Sequence, residues 1–167
     1  MINQMKNIEV NMGDIAVAKG EGNLMASGIG SCLVITLYDP KCKIGALAHT
    51  MLYAHRLSAE VRNSKDERRK ANPESPDTKY ADIAIDEMLK RVQALGAKRE
   101  DVEAKLIGGA NMFSAFESDI GKESVSSSKN KLKKEGIAIV GECVGGSQGR
   151  SVELSIATGI VTVKTKF

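Results

Sequence analysis

Gly28-Ile29-Gly30-Ser31-Cys32-Leu33-Val34-Ile35-Thr36-Leu37-Tyr38-Asp39-Pro40-Lys41-Cys42-Lys43-Ile44-Gly45-Ala46-Leu47-Ala48-His49-Thr50-Met51-Leu52 reads as a glycine loop, a strand, a tight turn and a returning strand. Both flanking runs are apolar enough to lie in a sheet covered on both faces, and Asp-Pro initiates turns. With Pro40 and Lys41 as the central residues of a two-residue turn, Asp39 pairs with Cys42, and Cys32 faces His49 across the hairpin. Side chains opposed in this way have Cβ atoms roughly 4.5–5.5 Å apart, within reach of a thiol and an imidazole. A slip of one residue pairs Cys32 with Thr50 instead and turns His49 to the other face.

Outward from this hairpin, the rest of the 167-residue chain supplies a layer of helices and further strands. Ile8 to Lys19 suggests one or two short strands, Gly20 to Asn23 a loop, and Leu24 to Ser27 the approach to the glycine loop. Tyr80 to Leu95 is the best helix: Ala81, Ile85, Met88, Val92 and Leu95 form one apolar stripe, with Asp77 or Thr78 as cap and Gly96 as terminator. Asp86 with Lys90 and Glu87 with Arg91 are the expected ion pairs on its wet side. Asp119 to Glu135 is a weaker helix with a thin stripe of Ile120, Val125 and Leu132, stopped by Gly136. Glu103 to Ile107, Ile137 to Cys143 and a terminal hairpin through Val152, Leu154, Ile156 and Ile160 to Lys164 complete seven or eight strands, with Val144 to Arg150 as a loop. Strands arranged mostly in hairpins with two helices predict an α+β layered sandwich, a single domain over residues 1–167.

Composition excludes several function classes. A net charge of +3, 4% aromatic residues and no Trp argue against nucleic-acid binding. Three cysteines without paired spacing, Cys32, Cys42 and Cys143, suit a reducing compartment rather than a disulfide framework, and with two histidines they form no zinc motif. No basic leader with an apolar core opens the chain, and no run of eighteen apolar residues occurs, so a cytoplasmic protein without membrane insertion is expected. Arg56 to Lys70 is strongly charged and is followed by Pro73 and Pro76. It reads either as a solvated loop or as a rim that selects a partner.

Cys32, at the end of a glycine loop, has two readings. As a nucleophile it sits where backbone N–H groups around Gly28, Gly30 and Ser31 support an oxyanion and where His49 receives the thiol proton, a pair suited to acyl transfer. As a structural residue it is a small buried hydrophobe beside a satisfied core histidine. An activated Cys32 would be alkylated below the pH at which an ordinary thiol reacts. Gly108-Gly109-Ala110-Asn111-Met112-Phe113 lacks the lysine and hydroxyl of a phosphate loop. Its paired glycines fit close approach to a neighbouring loop or to a bound peptide.

Gly28 to Cys32, Tyr38-Asp39-Pro40, Gly45 to Leu52, Lys79-Tyr80-Ala81-Asp82, Gly108 to Phe113 and Gly145 to Val152 together resemble CheD, the chemoreceptor glutamine deamidase family. The resemblance implies an α/β/β fold similar to cysteine-dependent toxin deamidases, with Cys32 as nucleophile, His49 as base, Gly30 and Ser31 in the oxyanion loop, and no cofactor or metal. It implies glutamines on the cytoplasmic helices of methyl-accepting chemotaxis receptors as substrates, with methyl glutamate esters as a further class. It also implies the phosphatase CheC as a partner that the protein binds and stimulates. Gly108, Gly109, Asn111 and Phe113 are the expected substrate or partner surface, and the protein itself is expected to be a monomer. The family places a Thr six positions before the cysteine to orient the histidine, and here that position is Ala26. The site then works with two side chains, borrows Ser27 or a backbone carbonyl, or survives as a binding module without catalysis. His55 is a spare imidazole where the family often has Pro nearby.

Overall fold

A computed structural model describes residues 6–51, 76–112 and 120–166. In chain order its elements are β1 (Asn7–Glu9), β2 (Ile15–Lys19), β3 (Asn23–Ile29), β4 (Leu33–Asp39), β5 (Ile44–Thr50), α1 (Ala81–Ala94), β6 (Glu103–Gly108), α2 (Ile120–Lys134), β7 (Ala138–Val144), β8 (Gly149–Ser155) and β9 (Val161–Lys166). The strands make a four-stranded sheet, β1-β3-β8-β9, and a five-stranded sheet, β2-β5-β4-β6-β7. Alternation along β4 decides the layering. Leu33, Ile35 and Leu37 pack with α1 residues such as Ile85 and Met88, whereas Val34 packs with Leu24, Val152 and Leu154 of the four-stranded sheet. The result is the expected α+β sandwich: helices, five-stranded sheet, four-stranded sheet.

All seven residues of β4 and all seven of β5 are buried. The predicted hairpin is present, but its register is not the predicted one. Asp39 pairs with Ile44, Val34 with His49 and Leu33 with Thr50, so the loop holds four residues rather than two. The cause is the Asp39 side chain. Its buried carboxylate accepts the N–H groups of Lys41 at 2.9 Å and Cys42 at 3.1 Å through Oδ1, and that of Lys98 at 3.3 Å through Oδ2. Burial alone would raise its pKa, but these backbone donors outweigh it and hold the pKa below the usual value. Lys43 closes the loop at φ +51°. A carboxylate that organises the turn in this way sets a longer loop than the Asp-Pro dipeptide alone suggests.

Other elements depart from the sequence reading for local reasons. Residues 23–29 form a full strand, β3, because Leu24, Ala26 and Ile29 are buried against the second sheet. Helix α1 starts at Ala81 without a side-chain cap, since the Thr78 hydroxyl donates to the Gly13 carbonyl instead. Glu87 and Arg91 pair at 2.8 Å as expected, but Asp86 pairs with Lys131 of α2 at 2.7 Å. The buried face of α2 is Gly121, Ser124, Ser128 and Leu132, while Ile120 is exposed. Small residues let α2 approach the Gly109 backbone closely: a Cβ on Gly121 would lie 2.5 Å from the Gly109 carbonyl oxygen. The charged stretch from Arg56 to Lys70, His55 and Phe113 lie outside the described residues.

The terminal turn locks the two sheets together through Tyr38, whose hydroxyl donates to the Ile156 carbonyl at 2.8 Å. Gly159 lies against the ring at φ +73°, and a Cβ there would come within 2.3 Å of Tyr38 Cε1. Gly159→Ala is expected to destabilise the protein by about 2–4 kcal/mol in urea unfolding followed by circular dichroism, combining a left-handed backbone with overpacking of an anchored ring. Gly20→Ala, at φ +85° with no atom within 4 Å of the new Cβ, should cost only about 1–2 kcal/mol.

Candidate functional site

The glycine loop delivers Cys32 to one end of the five-stranded sheet, directly before β4. This position is held by backbone contact. The Cys32 carbonyl accepts the Gly109 N–H at 2.8 Å, and the Gly30 carbonyl accepts that of Ala110 at 3.0 Å. A Cβ on Gly108 would lie 2.4 Å from the Cys32 carbonyl oxygen and 2.7 Å from Ile29 Cγ2, and Gly108 takes φ +113°. Only glycine permits that approach. Gly108 and Gly109 are themselves buried. Asn111 is exposed and donates its backbone N–H to the Gly146 carbonyl at 2.8 Å. Gly109 and Asn111 do line a cavity of about 210 Å³ with Val125, Gly145 and Gly146.

Cys32 is half-buried and free. Burial pushes its thiol pKa up, and the Cys32 backbone N–H opposes this to a smaller degree. Burial thus favours the neutral thiol over the thiolate. Among the described residues, the N–H groups of Ser31 and Cys32 donate no backbone hydrogen bond.

His49 is 4% exposed. It projects into the layer between the sheets with Leu47, two residues earlier on β5, where Val10, Ala26 and Val34 also pack. Its Nδ1 lies 3.4 Å from the Val10 carbonyl oxygen, and its Nε2 has no hydrogen-bond partner. Burial pulls the imidazole pKa down, against the raising effects of the Val10 carbonyl, Glu9 and Asp14. With Nδ1 donating to Val10, the neutral ring presents a bare Nε2 lone pair, the state a general base requires. No hydrogen bond joins Cys32 and His49. The register explains this: His49 opposes Val34, so Cys32 stands two residues along, on the diagonal, where Cβ separations are roughly 7–8 Å or somewhat less.

The position of the family's Thr and the candidate third side chain, Ser27, differ in where they point. Ala26 is 1% exposed and shares the His49 layer. Ser27 faces outward and donates to Glu9 Oε1 at 2.8 Å, so the structure does not bring it to the imidazole. The group that sequence reasoning could not name is the Val10 carbonyl, because a backbone acceptor leaves no trace in side-chain identity.

The family model described as CheD chemotactic sensory transduction matches residues 63–165. A probable chemoreceptor glutamine deamidase CheD of Pyrococcus abyssi is 41% identical over 95% of this chain and 91% of its own length. The chain belongs to the CheD family. A probable CheD of Methanococcus vannielii is also 41% identical, covering 94% of each chain. The chemoreceptor glutamine deamidase CheD of Thermotoga maritima is 36% identical over 96% of this chain and 92% of its own length. These CheD relatives span Cys32 and His49, which precede the family-model match.

The depressed imidazole pKa has a consequence for stability. In the unfolded chain His49 titrates near 6.5, whereas the folded protein resists that proton until lower pH. Its contribution is thus complete above the unfolded value and lost as pH falls through the folded one. Urea midpoints should decline as pH falls below the ordinary imidazole value of 6.5, and His49→Gln should flatten this decline.

Proposed function

We propose that this chain hydrolyses the side-chain amide of glutamines on methyl-accepting chemotaxis receptors, with Cys32 as nucleophile and His49 as proton carrier. The observation that carries the reading is the pairing of a free, half-buried thiol in a glycine loop with a buried imidazole whose Nε2 is unpartnered, in a chain whose CheD relatives are named for glutamine deamidation. As the amide enters, His49 Nε2 takes the thiol proton and Cys32 Sγ bonds to the carboxamide carbon. The Ser31 and Cys32 N–H groups then face the oxyanion. His49 gives the proton to the leaving nitrogen, and ammonia departs from a thioester. Water enters with its proton passing to His49, the carbon–sulfur bond breaks, and glutamate and the thiol are restored. Throughout, the Val10 carbonyl fixes the imidazole in the role that the family's Thr plays elsewhere. Each event adds one negative charge to the receptor and creates a site for methylation. Methyl glutamate esters undergo the same acyl chemistry.

A protein-sized substrate agrees with the surface around the thiol. Of six exposed large hydrophobic side chains among the described residues, four belong to this end of the sheet: Met12, Met51, Met112 and Ile120. Met12 adjoins Gly13, which bonds the His49 carbonyl, and Met51 follows Thr50, which pairs with Leu33. Met112 lies beside Gly30, and Ile120 precedes Gly121 on Gly109. Flexible methionines around a site suit a polypeptide partner. The same face is where CheC would dock in competition with the receptor, the chain acting as a cytoplasmic monomer with one deamidase domain over residues 1–167. A second reading, a module that docks on receptors or regulates CheC without catalysis, draws on Ala26 and on the raised thiol pKa.

Incubation of a receptor cytoplasmic fragment from the same organism, followed by mass spectrometry, separates the two readings. Deamidation adds about one mass unit at particular glutamines; Cys32→Ala should abolish it and His49→Gln should slow it by about 10²–10⁴-fold. An unmodified receptor with the native chain establishes the binding module. Nitrogen-15 spectra above neutral pH should place the His49 proton on Nδ1, and a proton on Nε2 would exclude the role given to Val10.

A further inference from the structure

Arg150 is 8% exposed, yet no carboxylate pairs with it among the described residues. Its Nη2 donates to the Gly145 carbonyl at 2.8 Å, its Nη1 approaches the Gly108 carbonyl at 3.5 Å, and its Nε is buried without a partner. A buried cation without an anion is costly, and an apolar residue of similar volume would avoid that cost. What Arg150 gains is access to two loops at once. Gly145 and Gly108 are also tied to each other by a 2.9 Å hydrogen bond from the Gly145 N–H. The peptide that carries the Gly108 carbonyl presents, on its opposite side, the Gly109 N–H that holds the Cys32 carbonyl at 2.8 Å.

A continuous chain therefore runs from the guanidinium through the 108–109 peptide to the backbone of Cys32, and hydrogen bonds linked in this way reinforce one another. The anchorage of Arg150 is equally direct, since its backbone pairs with Ile29 at the end of β3, beside Gly30. We infer that Arg150 is a positioning residue: by clamping the Gly108 and Gly145 loops behind the glycine loop, it fixes the depth and orientation of Cys32 for attack. The inference rests on the proposed deamidase chemistry for its effect on turnover, but not for its effect on the thiol.

The test uses Arg150→Met and Arg150→Lys in the full chain, the second keeping the charge while losing the planar fork that reaches two carbonyls. Peptide-resolved iodoacetamide labelling is followed against pH for Cys32, with Cys42 as internal control because its thiol points to Gly96 at the far end of β4. Release of the clamp lets water reach Cys32, so its labelling midpoint should fall toward that of an ordinary thiol while Cys42 is unchanged. Deamidation of the receptor fragment should lose about a hundredfold in kcat with KM nearly constant, the scale of a misplacement of about 1 Å. If Arg150→Met does not fold, Arg150→Lys decides, with the same signs and smaller shifts. A folded variant with the native Cys32 labelling profile overturns the inference, as does a change shared equally by Cys42, which would report general loosening. If the native chain proves inactive on receptors, the labelling result stands alone and the two conclusions separate.

Discussion

The position of β4 constrains everything else. It is paired on both edges, with β5 and β6, and covered on both faces, so all seven of its residues are buried. A strand enclosed in this way tolerates neither a slip nor a polar side chain without a partner. Its polar groups sit toward the exit: the Tyr38 hydroxyl donates to the Ile156 carbonyl, and the Asp39 carboxylate is met by three backbone donors. The two ends of this rigid strand carry opposite tasks. Asp39 at the exit sets the hairpin register, and Cys32 at the entrance takes its place from that register and from the glycine loops packed against it.

The layered architecture was legible in the sequence because its signals are local. Continuous apolar runs at 33–38 and 44–48 indicate a buried hairpin, the stripe from Ala81 to Val92 indicates a helix, and Gly96 and Gly136 end their helices at φ +110° and +71°. The register was not legible. The dipeptide Asp-Pro reports a turn but not its length, and the length depends on how many N–H groups the Asp39 carboxylate collects, one of them from Lys98 across 59 positions of sequence. The buried side of α2 was missed for a related reason: Gly121, Ser124 and Ser128 carry no apolar signal, and at 121 close approach to the Gly109 loop requires glycine.

At the site, residue identity was legible and geometry was not. The sequence points to Cys32 and His49 by type and spacing, but it cannot show that they stand diagonally rather than face to face. That Ser27 points away from Ala26 follows from strand alternation, but its bond to Glu9 is visible only in the structure. Paired glycines at 108 and 109 were read as a place of close approach, and the backbone they approach is that of Cys32 itself. Arg150 was recognisable only as part of a glycine-rich run, because the carbonyls it serves belong to separate loops.

Under the proposed mechanism, Ala26 in place of the family's Thr need not remove the function. An imidazole needs one fixed acceptor to settle its tautomer, and the chemistry of that acceptor matters less than its position. A carbonyl on β1's continuation meets the requirement provided its strand is held still. The Val10 N–H is bonded to the Met25 carbonyl at 2.7 Å, in the same parallel pairing that joins β1 to β3. The side chain of Val10 is packed in the layer between the sheets. The acceptor is thus part of the sheet, with no rotamer to lose, whereas a Thr hydroxyl must be held in one of its staggered positions. Ala26 adds to this by keeping the layer apolar around His49, so that the unpartnered Nε2 meets no competing donor before a substrate arrives. On this account the exchange of Thr for Ala moves the orienting group from side chain to backbone, and the buried, neutral imidazole follows from the same packing that holds the two sheets together.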